Sequence, residues 1–237
     1  MRNLKRALSL TLASVMLLGM MIVGTSAVSF NDADDITNVT AATILQDLEI
    51  MVGDGENFMP NQVVTRGQMA IIVCKLLYGD KLNVSQFEGS TQYTDVKVGD
   101  YFNGYVNLAS SLGIISGYGN GQFGPGDPVT TAQAALMLTK ALGYYQNNEI
   151  TGDWSQDALA AITQATRLTM FEGIKAPAAN EGLTRDNVAV MSFNTLTRAT
   201  PVRFNSIVNE YYTVGGSLTT GVEYIDAYEY GQTGTEY

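Results

Sequence analysis

Histidine is absent from this chain of 237 residues, and Cys74 is its single cysteine. Without histidine the chain cannot form a Ser-His-Asp triad, a Cys-His catalytic pair or a histidine metal site. A single cysteine cannot form an intramolecular disulfide, and Cys74 lies in the apolar run MAIIVCKLL, which favours a small buried side chain. These absences favour a protein without catalytic residues, without a metal site and without a cofactor.

Basic residues are also scarce, with 13 Lys and Arg against 23 Asp and Glu. Three of them precede an apolar run and small residues that end at Ala27, which predicts a secretory signal peptide at residues 1–27. An uncleaved membrane anchor is the alternative. Cleavage after Ala27 changes the net charge from −10 to −13. A chain this acidic has no general attraction for nucleic acid or anionic lipid, so we predict a secreted protein with neither partner.

Three segments of the chain share one pattern, which indicates an internal repeat. In each, a hydrophobic residue and a threonine precede an apolar face with helical periodicity. The segments are VVTRGQMAIIVCKLLYG (63–79), PVTTAQAALMLTKALGY (128–144) and GLTRDNVAVMSFNTLTR (182–198). Another amphipathic segment and a turn precede each of them. The pattern predicts three helix–loop–helix units, which we call repeats 1, 2 and 3, at residues 28–80, 90–144 and 150–203, with repeat 3 diverged.

The threonine of each segment is the predicted N-cap of a helix. Two of the three match the Thr-x-x-Gln capping box and the third is a weaker version. The pairs are Thr65–Gln68, Thr130–Gln133 and Thr184–Asn187. The first helical position is then occupied by Arg66, Thr131 and Arg185.

The loop before the second of these helices, GIISGYGNGQFGPGD (113–127), contains six glycines and has three interpretations. It contains G-x-G-x-x-G, but a phosphate-binding loop needs a preceding strand and a helix opening at its third glycine, where prolines follow instead. A calcium loop needs more ligands than its one Asn and one Asp. A connector fits best, because glycines allow a sharp turn and the threonine cap would leave the first helical amides directed outward.

The two arginines at first helical positions can be interpreted in two ways. An arginine adds a full charge and a planar fork to the positive end of the helix dipole, so Arg66 and Arg185 predict small anion sites. Solvated surface charges are the alternative. Either interpretation predicts that replacing an arginine by alanine leaves the fold intact.

These segments closely resemble the S-layer homology (SLH) domain. The resemblance rests on GIISGYGNGQFGPGDPVTTAQAALMLTKALGY, VTRGQMA, LTRDNVA and YTDV, and extends over residues 30–200. It implies a mainly α-helical fold with three helix–loop–helix repeats in a pseudo-threefold arrangement and binding grooves between neighbours. It also implies a non-catalytic role, which is anchoring to the cell wall through a peptidoglycan-linked secondary polysaccharide that often carries pyruvate ketals.

The resemblance also implies a set of ligand-binding residues. Arg66 and Arg185 match the arginine of the family's T-R signature, whereas Thr131 replaces it in repeat 2, which would weaken the groove that uses it. The other matching or neighbouring positions are Asp95, the aromatic residues Tyr101 and Trp154, Gly117 at the end of a first helix, and the capping residues Thr65, Gln68 and Thr184.

Two other functions remain as alternatives. In the first alternative, the chain would be a lattice subunit that self-associates in a surface layer, or the shortened anchoring end of a larger surface protein. The second alternative is a secreted hydrolase. A secreted hydrolase would need paired carboxylates such as Asp153 and Asp157. These two flank a predicted helix start, where acidic residues are common because of the helix dipole.

The C-terminal segment at residues 204–237 is acidic and rich in tyrosine, and no Lys or Arg follows Arg203. Its strand-like alternation around Gly215 and Gly216 would allow a hairpin. We expect instead a poorly ordered tail, with residues 205–237 dispensable for wall binding.

Overall fold

The computed structural model describes residues 30–213, so the predicted signal peptide and the segment after residue 213 lie outside the described residues. Six α-helices dominate this part: α1 (Val39–Asp47), α2 (Arg66–Tyr78), α3 (Asn103–Ser111), α4 (Thr131–Ala141), α5 (Trp154–Arg167) and α6 (Arg185–Thr197). Short 3-10 helices lie at Ala33–Asp35, Gly79–Lys81 and Val84–Phe87, and a hairpin pairs β1 (Val202–Asn205) with β2 (Glu210–Thr213). The predicted mainly α fold is confirmed. None of the helices in residues 30–213 is long and apolar enough to cross a membrane.

The helices α2, α4 and α6 begin where the threonine caps predict. Both capping boxes form, because the hydroxyls of Thr65 and Thr130 accept the N3 amides while the N3 glutamine side chains accept the N-cap amides. At α6 the Thr184 hydroxyl accepts the amide of Asn187. These local hydrogen bonds satisfy amides that the helix itself leaves free, so they fix the position at which each helix starts.

The helices pack mainly between repeats. Helix α2 of repeat 1 packs against α3 of repeat 2, α4 of repeat 2 packs against α5 of repeat 3, and α6 of repeat 3 packs against α1 of repeat 1. Each second helix therefore contacts the first helix of another repeat, and the last repeat contacts the first. The contacts form a closed cycle that ties the two ends of the described chain together.

A ring of three backbone hydrogen bonds lies at the centre of this cycle. The amide of Val64 donates to Leu183, that of Leu183 to Val129, and that of Val129 to Val64, with N···O distances of 2.9, 3.0 and 2.9 Å. All three side chains are fully buried. Each of these residues immediately precedes a threonine cap, so the ring brings the starts of α2, α4 and α6 to one point.

Two predictions about individual segments can be compared with the fold. No strand leads into Gly119, because the chain before it is α3 and a turn, which removes the context that a phosphate-binding loop requires. Cys74 is fully buried in α2, as predicted, and burial raises the pKa of its thiol to about 12. It is therefore a protonated core residue at neutral pH.

The prediction of a poorly ordered tail is wrong for residues 205–213. These residues complete the β1–β2 hairpin, whose turn at residues 206–209 precedes in sequence the glycine pair around which a hairpin was the alternative. The hairpin is fixed because β1 begins with a hydrogen bond from the Val202 amide to the Leu142 carbonyl, at 2.8 Å.

Candidate functional site

Three equivalent junctions form where the start of a second helix meets the loop of another repeat. In each, the first two helical amides donate to two loop carbonyls. The pairs are Arg66–Asp127 and Gly67–Pro125, Thr131–Glu181 and Ala132–Ala179, and Arg185–Gln62 and Asp186–Pro60, at 2.8–3.0 Å. The prediction that these amides point outward to a ligand is therefore wrong. Amides at a buried helix start need partners, and the neighbouring repeat supplies them.

Arg66 is the main side chain of the junction between repeats 1 and 2, and it is only 3% exposed. Its Nε donates to the carbonyl of Phe123 and its Nη2 to that of Ser116, both at 2.9 Å. The centre of its guanidinium lies 4.6 Å from the ring centroid of Phe123 and 4.7 Å from that of Tyr118. A guanidinium held between two rings and two carbonyls fixes the glycine-rich loop against α2.

Arg185 makes the corresponding two hydrogen bonds at the junction between repeats 3 and 1, with one aromatic ring in place of two among the described residues, and it is 8% exposed. Its Nε donates to the carbonyl of Phe58 at 2.8 Å and its Nη2 to that of Val52 at 3.0 Å. Its guanidinium centre lies 4.9 Å from the Phe58 ring centroid. The surface-charge interpretation is thus wrong for both arginines. Within residues 30–213 the Nη1 group of neither arginine donates a hydrogen bond, so this edge of each guanidinium has spare donors.

Thr131 occupies the arginine position at the junction between repeats 2 and 3. It is fully buried, and its hydroxyl donates to the Glu181 carbonyl at 3.3 Å. The loop that it faces, in repeat 3, also lacks the aromatic-x-Pro pattern of the other two loops. The arginine and the loop that it would hold are therefore altered together, which indicates that binding the loop is one role of the arginine.

Asp95 supports the same glycine-rich loop from within repeat 2. Its two carboxylate oxygens accept the amides of Phe123 and Gly124, both at 2.8 Å. Burial alone would raise the pKa of the Asp95 carboxyl, but these amides and the charge of Arg66 hold the pKa below its ordinary value of 3.8. Asp95 thus binds the other side of the segment that Arg66 holds.

Sequence reasoning missed the counterpart of Asp95 in repeat 1. The carboxylate of Asp32 accepts the amides of Phe58 and Met59 at 2.9 and 2.7 Å. The signal was available, because FNDA at residues 30–33 has the aromatic-x-Asp-aliphatic pattern of YTDV at residues 93–96. The aromatic residue of each motif also pairs with the loop phenylalanine of its repeat, with centroids 5.3 and 5.4 Å apart.

Because the pKa of Asp95 is lowered in the folded protein, we predict that its contribution to the free energy of unfolding depends on pH. Because its pKa is lowered on folding, its stabilisation is complete above the unfolded-state value of about 3.9 and is lost as the pH falls through the lower folded-state value. We expect Asp95→Asn to have a lower urea midpoint than the wild type at pH 7, with a difference that shrinks below about pH 4. Urea titrations of both proteins between pH 7 and pH 3 test this. A difference that stays constant over this range would contradict it.

The structure brings together some of the predicted site residues and separates others. Arg66 and Asp95 both bind the glycine-rich loop at the junction between repeats 1 and 2, and Gly117 follows Ser116, whose carbonyl accepts from Arg66. Gly117 also lines an open cavity of about 280 Å³ within repeat 2, together with Gln92, Tyr93, Ile115, Ser116, Gly119, Gly121 and Gln122. The predicted capping residues Thr65, Gln68 and Thr184 use their side chains in the caps described above.

The two predicted aromatic residues are surface residues. Tyr101 is 66% exposed and packs edge-on against Phe102, with centroids 4.9 Å apart. Trp154 is 48% exposed at the first position of α5, so it does not belong to the core. Both rings are accessible to a ligand, although they lie in different repeats.

The two carboxylates of the hydrolase alternative have local structural roles. Asp153 caps α5 by accepting the amide of Ser155 at 3.0 Å. Asp157 is buried and accepts the amides of Thr151 and Gly152 at 2.8 and 2.9 Å. These contacts agree with the dipole interpretation of the two acidic residues.

Comparison with known proteins gives matches to the S-layer homology domain model at residues 29–70 and 92–135. The chain is 35% identical over 147 residues to the "Middle cell wall protein" of Brevibacillus brevis, which covers 61% of this chain and 13% of that protein. It is 34% identical over 137 residues to the "Surface layer protein" of Brevibacillus choshinensis, which covers 56% of this chain and 12% of that protein.

An enzyme is also among the relatives. The "Amylopullulanase" of Thermoanaerobacterium thermosulfurigenes is 32% identical over 90 residues, which covers 38% of this chain and 5% of that protein, and this match is confined to the S-layer homology region. The chain thus spans a small part of the relatives that it matches. The two matched regions, residues 29–70 and 92–135, contain both sides of the junction of Arg66 with the glycine-rich loop, so this junction lies in the part of the chain that is similar to the S-layer homology domain.

Proposed function

We propose that the chain is a non-catalytic cell-wall anchoring module that binds a peptidoglycan-linked secondary cell wall polysaccharide, including pyruvylated forms. The family match and the names of the wall and surface-layer relatives support anchoring at the cell surface. The three repeats are proposed to be arranged around a pseudo-threefold axis, and the ring formed by Val64, Val129 and Leu183 supports this arrangement.

The observation that carries the polysaccharide proposal is the pair of buried arginines at the junctions. In a chain with this excess of acidic residues, an anionic sugar needs a local cation. Arg66 and Arg185 each retain an Nη1 edge for a carboxylate, while Nε and Nη2 bind the loop. We infer that the guanidinium of each arginine has two roles: Nε and Nη2 fix the loop, and Nη1 contacts the ligand.

Trp154 provides a test that does not disturb the buried junctions. Because half of its side chain is exposed, we expect Trp154→Ala to bind purified walls about tenfold more weakly with an unchanged melting temperature, if its ring stacks on a sugar. The matched control is Leu159→Ala, because Leu159 lies on the same helix and is 69% exposed. Pull-down with purified walls measures both variants. Equal retention of the two would contradict a ligand contact by Trp154.

The lattice-subunit alternative is supported by the surface-layer relative, of which the matched stretch covers 12%. It predicts ordered self-association of the purified chain in the absence of wall material. Sedimentation velocity distinguishes the two proposals, since an anchoring module stays at one small size over the concentration range used for wall binding.

A further inference from the structure

The β1–β2 hairpin contacts repeat 2 at the C-terminal end of α4, the end opposite to the junction with the loop of repeat 3. After α6 the chain turns back onto the segment that connects repeats 2 and 3, residues 143–149, which we call the connector. The Val202 amide donates to the Leu142 carbonyl at 2.8 Å, and the Tyr144 hydroxyl donates to the Thr200 carbonyl at 3.0 Å. The ends of α4 and α6 are thereby joined.

Tyr211 of β2 makes the most contacts with the connector. Its hydroxyl accepts the amide of Gln146 at 2.8 Å and donates to the carboxylate of Glu149. Its ring stacks on that of Tyr144, with centroids 6.3 Å apart, and lies 5.0 Å from that of Phe204. A single side chain therefore binds both ends of the connector.

The connector is bound on its other side by repeat 3. The hydroxyl of Tyr145 donates to the carbonyl of Ala160 in α5 at 2.9 Å. The position of α5, which packs on α4, thus depends on a segment that the hairpin holds.

Gly143 makes the close approach of the hairpin possible. It has a φ of 91°, and a Cβ at this position would lie 1.9 Å from the carbonyl oxygen of Val202. A residue with a side chain would have to displace the start of β1. The sequence of the connector is therefore adapted to the hairpin.

We infer that the hairpin is a strap that holds the connector and, through the connector, the position of α5 against α4, with Tyr211 as its main positioning residue. The strap lies outside the residues that match the family model, so the inference goes beyond the proposed function.

Two truncations of the chain without residues 1–27, the predicted signal peptide, test the strap. A chain that ends at Thr213 keeps the hairpin, and we expect its melting temperature and amide exchange to match those of the longer chain. A chain that ends at Arg203 loses it, and we expect exchange at residues 143–167 to become about tenfold or more faster, with α2 and α3 changing less. Equal exchange at residues 143–167 in the two truncated chains would overturn the inference.

Point variants keep the test valid if the shorter chain does not fold. Tyr211→Phe removes the hydroxyl that binds Gln146 and Glu149 but keeps the ring, so we expect faster exchange confined to the connector and α5. The matched control is Tyr212→Phe, because the neighbouring hydroxyl contacts only Glu210 of its own strand among the described residues. Equal exchange at residues 143–167 in these two variants would overturn the role of Tyr211.

Discussion

Arg66→Ala is expected to lower the free energy of unfolding by about 3 kcal/mol. The substitution leaves the carbonyls of Phe123 and Ser116 without their donors at a buried junction and removes the cation between two rings. Hydrogen bonds to charged groups are each worth about 1.5–3 kcal/mol, and the cation–π contacts add to them. Urea unfolding followed by circular dichroism measures the change. The buried contacts of Arg66 thus predict a destabilised protein, whereas the sequence alone predicted that the variant leaves the fold intact.

Two further variants test whether the loss of stability in Arg66→Ala comes from the contacts of its guanidinium. Arg66→Lys should recover only part of the loss, because an ammonium lacks the planar fork that reaches both carbonyls. Arg203→Ala removes an exposed arginine from β1 and should change stability by less than about 0.5 kcal/mol. If Arg66→Ala unfolds at the same urea concentration as Arg203→Ala, Arg66 does not hold the loop. Reduced wall retention by Arg66→Ala is evidence for a ligand contact only where that variant is folded.

Gly117→Ala is expected to have an effect of similar size. A Cβ at Gly117 would lie 2.4 Å from the carbonyl oxygen of Gln122 and 2.7 Å from a ring carbon of Tyr93. Because the first of these atoms belongs to the backbone, the loop would have to open, at a cost of about 1–3 kcal/mol. We expect a lower melting temperature and weaker wall retention, since the loop both lines the cavity of repeat 2 and is bound by Arg66.

Gly126 supplies the control in the same loop. A Cβ there would meet no atom within 4 Å, so Gly126→Ala should leave stability unchanged or slightly increased. Equal melting temperatures of the Gly117→Ala and Gly126→Ala proteins would contradict the close packing of the loop.

The sequence predicted the helix starts because their signals are local. Thr65 and Gln68 are three residues apart, and the capping box that they form needs no other part of the chain. The junctions could not be predicted in the same way. Arg66 reaches a carbonyl 50 residues away and Arg185 one 133 residues away, so their burial depends on how the repeats pack.

The hairpin shows a second limit of local patterns. The sequence predicted a poorly ordered tail, and its one local turn signal was a glycine pair, whereas the turn at residues 206–209 contains no glycine. Asn209 has a φ of 57° and supplies the left-handed residue instead. The contacts that fix the hairpin come from Leu142 and the connector, which are distant in sequence.

Retention by purified walls, before and after removal of the secondary polysaccharide, tests the proposed function most directly. We expect the chain without residues 1–27, the predicted signal peptide, to sediment with intact walls and to remain in solution with stripped walls. Re-addition of the released polysaccharide should compete with intact walls for the protein. Equal retention by intact and stripped walls, or no retention by either, would contradict anchoring through this polymer.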